Sequence, residues 1–330
     1  MLMELYPHIR PYLSRIERMM ASDLSREEPA VYGALGPFIS RGGKRIRPAL
    51  TLLSCGACGG RYPDVLAPAS IIELFHNFTL IHDDIEDDSQ FRRGEPTLHV
   101  SQGIPLALNS GDALYTLLWK KLVALDMPPG KLISLQKIYS EAFKRVVDGQ
   151  GVEISWIRKN RFDVSEKEYL AMIGGKTSAL MGLSCEVGAF LSGARADRRG
   201  ALRDYGELLG TAFQIQDDVL NLTGSFEKYQ KEIGGDISEG KRTLMVVHCL
   251  RNAPRDERAR LVSILSSHSK EKGDIREAIS ILGRSGSIDY AKKRSESLMR
   301  RAKRLLGALT ESKDRGSLIM IADYVISREK

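Results

Sequence analysis

LFHNFTLIHDDIEDD (74–88) and LLGTAFQIQDDVLN (208–221) decide the reading of this chain. Each is an apolar run at three-and-four spacing that ends in carboxylates, and each carries the pattern D-D-x-x-D/N. The first places Asp83, Asp84, Asp87 and Asp88; the second places Asp217, Asp218 and Asn221. On a helix, residues four apart stand about 40° from one another, one turn along the same face. Asp83 and Asp87 therefore share a face, and so do Asp217 and Asn221, with Gln214 beside them. Like charges at that spacing destabilise a helix unless a cation offsets them. Oxygen-only ligands suit Mg²⁺, which takes one or two carboxylates and completes its shell with water and phosphate. One such cluster reads as an exposed acidic turn; two with the same spacing, each in apolar context, point to metal binding. No EF-hand spacing is present, which argues against calcium.

The same periodicity extends outward on both sides. LISLQKIYSEAFKRVV (132–147), EYLAMIGGKTSALMGLSCEVGAFL (168–191) and ALRDYGELLGTAFQIQDDVLNL (201–222) all space apolar residues as helices do. Ser165 and Glu168 form a capping box, and Asp112 after Gly111 is placed to cap ALYTLLWKKL. Gly-rich breaks are expected at 42–43, 59–60, 149–151 and 234–235, and no alternating β pattern with hairpin turns is seen. No linker or fixed-period repeat divides the chain. The expectation is a single all-α domain over residues 1–330.

Composition agrees. The 330 residues are 42% hydrophobic and 28% charged, with 12 Pro, which excludes a disordered or collagen-like chain. Four cysteines make neither a disulfide scaffold nor a zinc site; Cys55 and Cys58 read as small residues at the end of an apolar helix, in a reducing cytoplasmic setting. The N-terminal stretch lacks the apolar core of a secretory signal. The nearest approach to a membrane span, 177–194, is interrupted by Glu186 and reads as a buried helix. Net charge is +7, which suits an anionic partner. The basic stretch beyond 251 has no interleaved aromatics, so a solvated helix face is favoured over RNA or a membrane surface.

Basic groups gather at the Gly-rich points. GGKRIRP carries Lys44, Arg45 and Arg47, and FRRGEPTLH carries Arg92 and Arg93. GGKTSAL carries Lys176 and Thr177, and YQKEIGGDISEGKRTL carries Lys231, Lys241 and Arg242. Glycine lets the backbone approach phosphate oxygens, and Arg binds them in bidentate fashion. GGKTS lacks the spacing and the preceding strand of a P-loop. Four basic clusters with two acidic ones suggest a diphosphate held by magnesium. His76, seven residues before Asp83, lies near the same face and is a candidate phosphate contact; His82 flanks the same cluster.

The order GGKRIRP, HNFTLIHDDIEDDSQFRRGEPTLH, GGKTSAL, FQIQDDVLNLTG, KEIGGDISEGKRTL resembles the trans-isoprenyl diphosphate synthases, and within them the geranylgeranyl diphosphate synthases, over about residues 42–243. The resemblance implies a helical bundle around a deep central cavity, usually a homodimer, with two aspartate-rich motifs facing each other and holding three Mg²⁺. It makes Asp83, Asp87 and Asp217 metal ligands, with Asp84 and Asp218 in support. It assigns Arg92, Lys176 and Lys241 to the allylic diphosphate, with Lys231 a further basic contact, and Lys44, Arg47, His76 and Arg93 to isopentenyl diphosphate. Thr177 and Gln214 would stabilise the developing cation. Asn221 stands where many members have Asp, as in variants among geranylgeranyl synthases; Asp88 has no assigned role.

The residues before the first motif form the cavity floor in that family. Phe78, five before Asp83, resembles the C20 type, although Phe75 and Thr79 lie closer to the Asp83 face by helical angle. A C15 or mixed product stays open. A non-catalytic subunit would be expected to have lost aspartates, a class I terpene cyclase would not need GGKRIRP and RRG, and an RNA-binding helical protein would not need the carboxylates.

Overall fold

The computed structural model describes residues 6–224 and 234–327. The longer helices are α1 (Arg10–Leu24), α2 (Ile46–Ala57), α3 (Leu66–Glu86), α4 (Ile104–Val123), α5 (Pro129–Arg158), α6 (Glu166–Ile173), α7 (Ala179–Leu191), α8 (Ala196–Thr223), α9 (Leu244–Asn252), α10 (Arg255–Ser266), α11 (Lys272–Arg284), α12 (Ser287–Leu305) and α13 (Lys313–Ser327). Shorter helical turns fill most connections. The fold is all-α, as the periodicity predicts. The one sheet among the described residues is a two-residue antiparallel pair, β1 (Phe91–Arg92) with β2 (Glu95–Pro96).

The chain forms two compact units. One gathers the described residues up to Glu141 with Leu180–Gly206 and Leu305–Ile321; the other gathers Ala142–Ala179, Glu207–Arg304 and the described residues from Ala322.

In the first unit α3 is apolar on nearly every face, with Leu66, Ile71, Ile72, Leu74, Phe75 and Ile81 buried, as expected of a helix surrounded by others. Between α3 and α2 lies a buried ion pair: Arg45 donates to Glu73 at 2.9 Å, to Glu17 at 2.8 Å and to the carbonyl of Ile39 at 2.8 Å. A lone buried charge would be costly, so each of these partners is required. Tyr139 closes the other end of α3 by donating to the Pro68 carbonyl at 2.8 Å. In the second unit α12 buries Ala291, Ser295, Leu298, Met299 and Ala302 on one stripe and turns Lys292, Lys293, Arg300, Arg301 and Arg304 to solvent. The basic C-terminal stretch is thus an outer helix face.

Four local expectations are corrected. Residues 149–151 do not break a helix; α5 runs through them. Gly149 is there because a Cβ would lie 2.3 Å from the backbone nitrogen of Lys176. Asp112 caps nothing, because α4 begins at Ile104 and continues past it; Gly111 makes room for the His82 ring, which a Cβ would meet at 2.4 Å. A hairpin does exist: Arg93 and Gly94 both have left-handed φ (57° and 80°), the geometry of a tight turn between paired strands. Finally, the described stretch long and apolar enough to cross a membrane is Tyr62–Glu86, not 177–194; 67% of its apolar window is buried. The capping box stands, with Glu168 N–H donating to Ser165 Oγ at 3.1 Å and Ser165 N–H to Glu168 Oε2 at 2.8 Å. Those bonds, with Arg161, pull the Glu168 carboxyl down to about 2.

Candidate active site

The first acidic motif ends α3. Asp83 and Asp84 lie in its last turn, Asp87 is the residue that closes it, and Asp87 N–H bonds the Asp83 carbonyl at 2.9 Å. This is the negative end of the helix dipole, where anions are disfavoured. The second motif lies in the closing turns of α8, so both carboxylate sets sit where the backbone already places negative charge. Only a cation makes either arrangement favourable.

Around the first motif the hairpin supplies one such cation. Arg92 donates through Nε to Asp84 Oδ1 at 2.8 Å and through Nη2 to the same oxygen, with Asp83 Oδ2 at 4.0 Å. Burial works against the charge on Arg92, but Asp84, then Asp83 and Asp87, outweigh it. Asp84 is buried, and burial pushes its carboxyl up while Arg92 opposes. Its second oxygen, Oδ2, is a buried acceptor without a hydrogen-bond partner. Asp83 and Asp87 are half-buried and reachable.

The next turn of the hairpin aims Arg93 elsewhere. Its guanidinium donates to the Gly42 carbonyl and lies over Gly43, where a Cβ would come within 2.8 Å of Nη2. Gly42 and Gly43 both have positive φ (82° and 139°), and Lys44 beside them is exposed. Arg47 and His76 belong to the same electropositive group. Burial pushes Arg47 down to about 10, with Arg93 adding to the effect, and its buried Nε has no hydrogen-bond partner. Burial, then Arg47, Arg93, Arg92 and Arg45, hold His76 well below its ordinary range, so it is a neutral imidazole near pH 7. Several cations crowded together, one with an unused donor, make a grouping whose chemistry suits a multiply charged anion. Arg45 of the same motif faces the core instead.

Phe78 is half-buried and packs on Tyr115 (ring centroids 5.2 Å), His82 (4.7 Å) and Phe75 (5.5 Å). Phe75 is fully buried, and the Thr79 hydroxyl is tied back to the His76 carbonyl at 2.8 Å.

In the second unit GGKTS (Gly174–Ser178) forms a π-helical turn between α6 and α7, a widening often found at functional sites. Thr177 Oγ1 donates to Gln214 Oε1 at 2.9 Å, Gln214 Nε2 donates to Asp218 Oδ1 at 2.8 Å, and Tyr169 donates to Asp218 Oδ2 at 2.9 Å. Asp218 is buried, and burial, then Asp236, push its carboxyl well up. Asp217 is half-buried. Asn221 is buried and structural: its carbonyl oxygens accept Gly234 N–H (2.8 Å, main chain) and Asp236 N–H (3.2 Å, side chain). Lys241 pairs with Glu239 and lies 3.7 Å from Asp236, and Lys176 pairs with Glu153 at 2.5 Å. Arg242 is a scaffold residue, buried over the Phe162 ring at 4.1 Å and bonded to the carbonyls of Arg161 and Gly240. Lys231 lies outside the described residues.

Sequence reasoning missed Glu153, Tyr169 and Asp236. Glu153 could have been found from its spacing of four after Gly149; Asp236 stands in a quoted motif without being singled out; Tyr169 gave no signal.

Among the described residues no three His, Cys, Asp or Glu side chains gather as a ready cage. The donor set nevertheless fits magnesium, which needs only one or two carboxylates when phosphate completes its shell. The unused Asp84 oxygen and the carboxylates at helix C-termini are the features that such an ion would relieve.

An all-α fold with paired aspartate motifs and clustered cations defines a diphosphate-handling enzyme of the isoprenoid type. Residues 28–282 match the family described as polyprenyl synthetase. A short chain isoprenyl diphosphate synthase of Methanothermobacter thermautotrophicus is 39% identical over 329 residues, covering 99% of this chain and 100% of that protein. The crystal structure of a geranylgeranyl pyrophosphate synthetase from Pyrococcus horikoshii superposes with a TM-score of 0.92 at 34% identity, covering 98% of each chain. A polyprenyl synthase from Caulobacter crescentus, complexed with calcium and isoprenyl diphosphate, gives 0.92 at 27% identity over 100% of this chain and 98% of that one. The chain belongs to the polyprenyl synthetase family, and its activity is that of a trans-prenyl diphosphate synthase.

Proposed function

We propose that the protein condenses isopentenyl diphosphate with an allylic diphosphate to give geranylgeranyl diphosphate (C20) and diphosphate, with magnesium, as a single all-α domain. The observation that carries this reading is the placement of both aspartate motifs at the C-terminal ends of helices, next to cations suited to diphosphate. Asp83, Asp87 and Asp217 would hold the metal, with Asp84 and Asp218 behind them. When bound, magnesium would supply positive charge that stabilises the departing diphosphate more as the C–O bond ionises. Arg92, Lys176 and Lys241, with Lys231, act on the same diphosphate. Lys44, Arg47, His76 and Arg93 hold the second diphosphate, His76 as a neutral donor.

The bond chain Thr177 to Gln214 to Asp218 explains how the cation is met. Every donor in it points toward the buried carboxylate, so the lone pairs of the Thr177 oxygen are left for an electron-poor carbon, and the chain polarises that oxygen further. The double bond of isopentenyl diphosphate attacks the allylic cation, and a proton leaves, taken up by the released diphosphate. Apolar walls around the cation would exclude water.

The C20 assignment is supported by Phe78 five residues before Asp83 and by the likeness to a geranylgeranyl synthetase. The metal is supported by the calcium and isoprenyl diphosphate bound in the Caulobacter relative. A homodimer is supported by Ile104, Leu108 and Tyr115, large apolar residues exposed along α4, and a cytoplasmic setting by four free cysteines. The test incubates purified protein with Mg²⁺, isopentenyl diphosphate and dimethylallyl, geranyl or farnesyl diphosphate in turn, and sizes the products by mass spectrometry. A C20 product is expected, and Asp83→Ala and Asp217→Ala should each abolish turnover. Near-normal rates in both variants would refute the metal assignment.

A further inference from the structure

Helix α5 grips the π-helical turn at three points spaced by four residues, so all three lie along one side of the helix. Arg145 Nη2 reaches the Gly174 carbonyl at 3.5 Å while Nη1 donates to Glu207 at 2.6 Å. Gly149 lets the backbone of Gly175 and Lys176 press against the helix. Glu153, one turn on, accepts from Lys176 Nζ at 2.5 Å, and the two side chains are only 12% and 19% exposed. A carboxylate placed this deep needs a cation; a lysine that meets diphosphate does not itself need an anion beside it.

We propose that Glu153 is a positioning residue for Lys176: it fixes where the ammonium points, so that the ammonium meets the diphosphate. The inference rests on the reading of Lys176 given above. A lysine stem carries rotamer entropy, which a ligand must overcome if the stem is loose. Held by Glu153, the ammonium meets the anion with that cost already met. The carboxylate also offsets part of the local positive charge. The two effects oppose each other and can be separated by substitution. Glu153→Gln keeps an acceptor of the same length and removes the charge. Glu153→Ala removes both.

The experiment is isothermal titration of inorganic diphosphate with Mg²⁺ into the full-length wild type, E153Q, E153A, K176A and the two double variants, each checked by circular dichroism. E153Q is expected to bind at least as tightly as the wild type, and E153A at least fivefold more weakly than E153Q. In the K176A background the difference between Gln and Ala should vanish, because it acts through the lysine. Kinetics should follow: kcat/KM for the allylic substrate falls in E153A and is restored in E153Q. Equal affinities of E153A and E153Q would overturn the proposal, as would a difference that persists without Lys176. If E153A does not fold, the E153Q and K176A cycle decides, since any change made by E153Q must then disappear in the double variant. A wild type that fails to bind diphosphate would overturn the reading of the site itself; a wild type that binds while Glu153 substitutions act independently of Lys176 overturns this inference alone.

Discussion

Gly149→Ala separates close packing from helix propensity. Built onto the structure, the new Cβ lies 2.3 Å from Lys176 N, 2.8 Å from the Met172 carbonyl oxygen and 2.9 Å from the Gly175 carbonyl carbon. Ordinary contact begins near 3.4 Å, so the π-helical turn must move by 3.4 − 2.3, about 1.1 Å. The atoms met are backbone and cannot rotate away. Overpacking of this kind costs about 1–3 kcal/mol, partly offset by the gain of about 1 kcal/mol from Ala over Gly in a helix. Stability should therefore fall by no more than about 2 kcal/mol. Activity should fall much further, because the turn carries Lys176 and Thr177, and a displacement near 1 Å costs about 100-fold in rate, or about 2.7 kcal/mol of barrier. Gly151→Ala is the control. It sits two residues away on the same helix, is exposed and would meet nothing within 4 Å, so it should keep full activity and gain up to about 1 kcal/mol. The assay is steady-state kcat/KM for the allylic substrate beside urea unfolding. A folded G149A within threefold of wild-type kcat/KM would refute the argument.

Three further outcomes are expected. His76 is neutral when folded, and burial, then Arg47 and Arg93, hold it down; the unfolded chain takes up a proton below about pH 6.5, so this group's stability is complete above that pH and lost as pH falls toward the folded value. Stability should therefore fall between pH 7 and 5.5, and His76→Asn should remove that part of the acid shift in urea midpoints; an identical shift in the variant contradicts it. Asp87→Asn, at the closing residue of α3, should raise metal-free stability by about 0.3–1 kcal/mol while cutting turnover sharply, and a variant that is both less stable and fully active would refute the placement argument. Phe78→Ala should lengthen the product by at least one isoprene unit in mass spectrometry; an unchanged product would transfer the chain-length role to Phe75 or to a neighbouring helix.

Much of the fold was legible because helical spacing, a capping box and glycine punctuation are local signals. The aspartate motifs were legible because their spacing has meaning only on a helix. What escaped was set by distant neighbours. Gly149 and Gly151 are alike in sequence, yet only Gly149 touches another backbone. Arg45 and Arg47 are two residues apart in one basic motif, but Arg45 turns inward to Glu73 while Arg47 joins His76. Arg93 and Gly94 form a hairpin too short for any alternation to announce. Asn221 shares a helix face with Asp217, yet its oxygens hold the chain segment that carries Asp236.

Three of the cations proposed to meet the allylic diphosphate share a property. Arg92 is paired with Asp84, Lys176 with Glu153 and Lys241 with Glu239 and Asp236. A cluster of bare cations would repel itself and bind any passing anion. Paired with a carboxylate, each of these side chains is held in place, and the fold tolerates it half-buried. If magnesium binds as proposed, Asp84 gains a second claim on its charge and Arg92 is less fully compensated. An anion entering with magnesium would then meet a stronger cation at Arg92 than one entering alone. On that reading, a preference for the magnesium complex over free phosphate would follow from the Asp84–Arg92 pair.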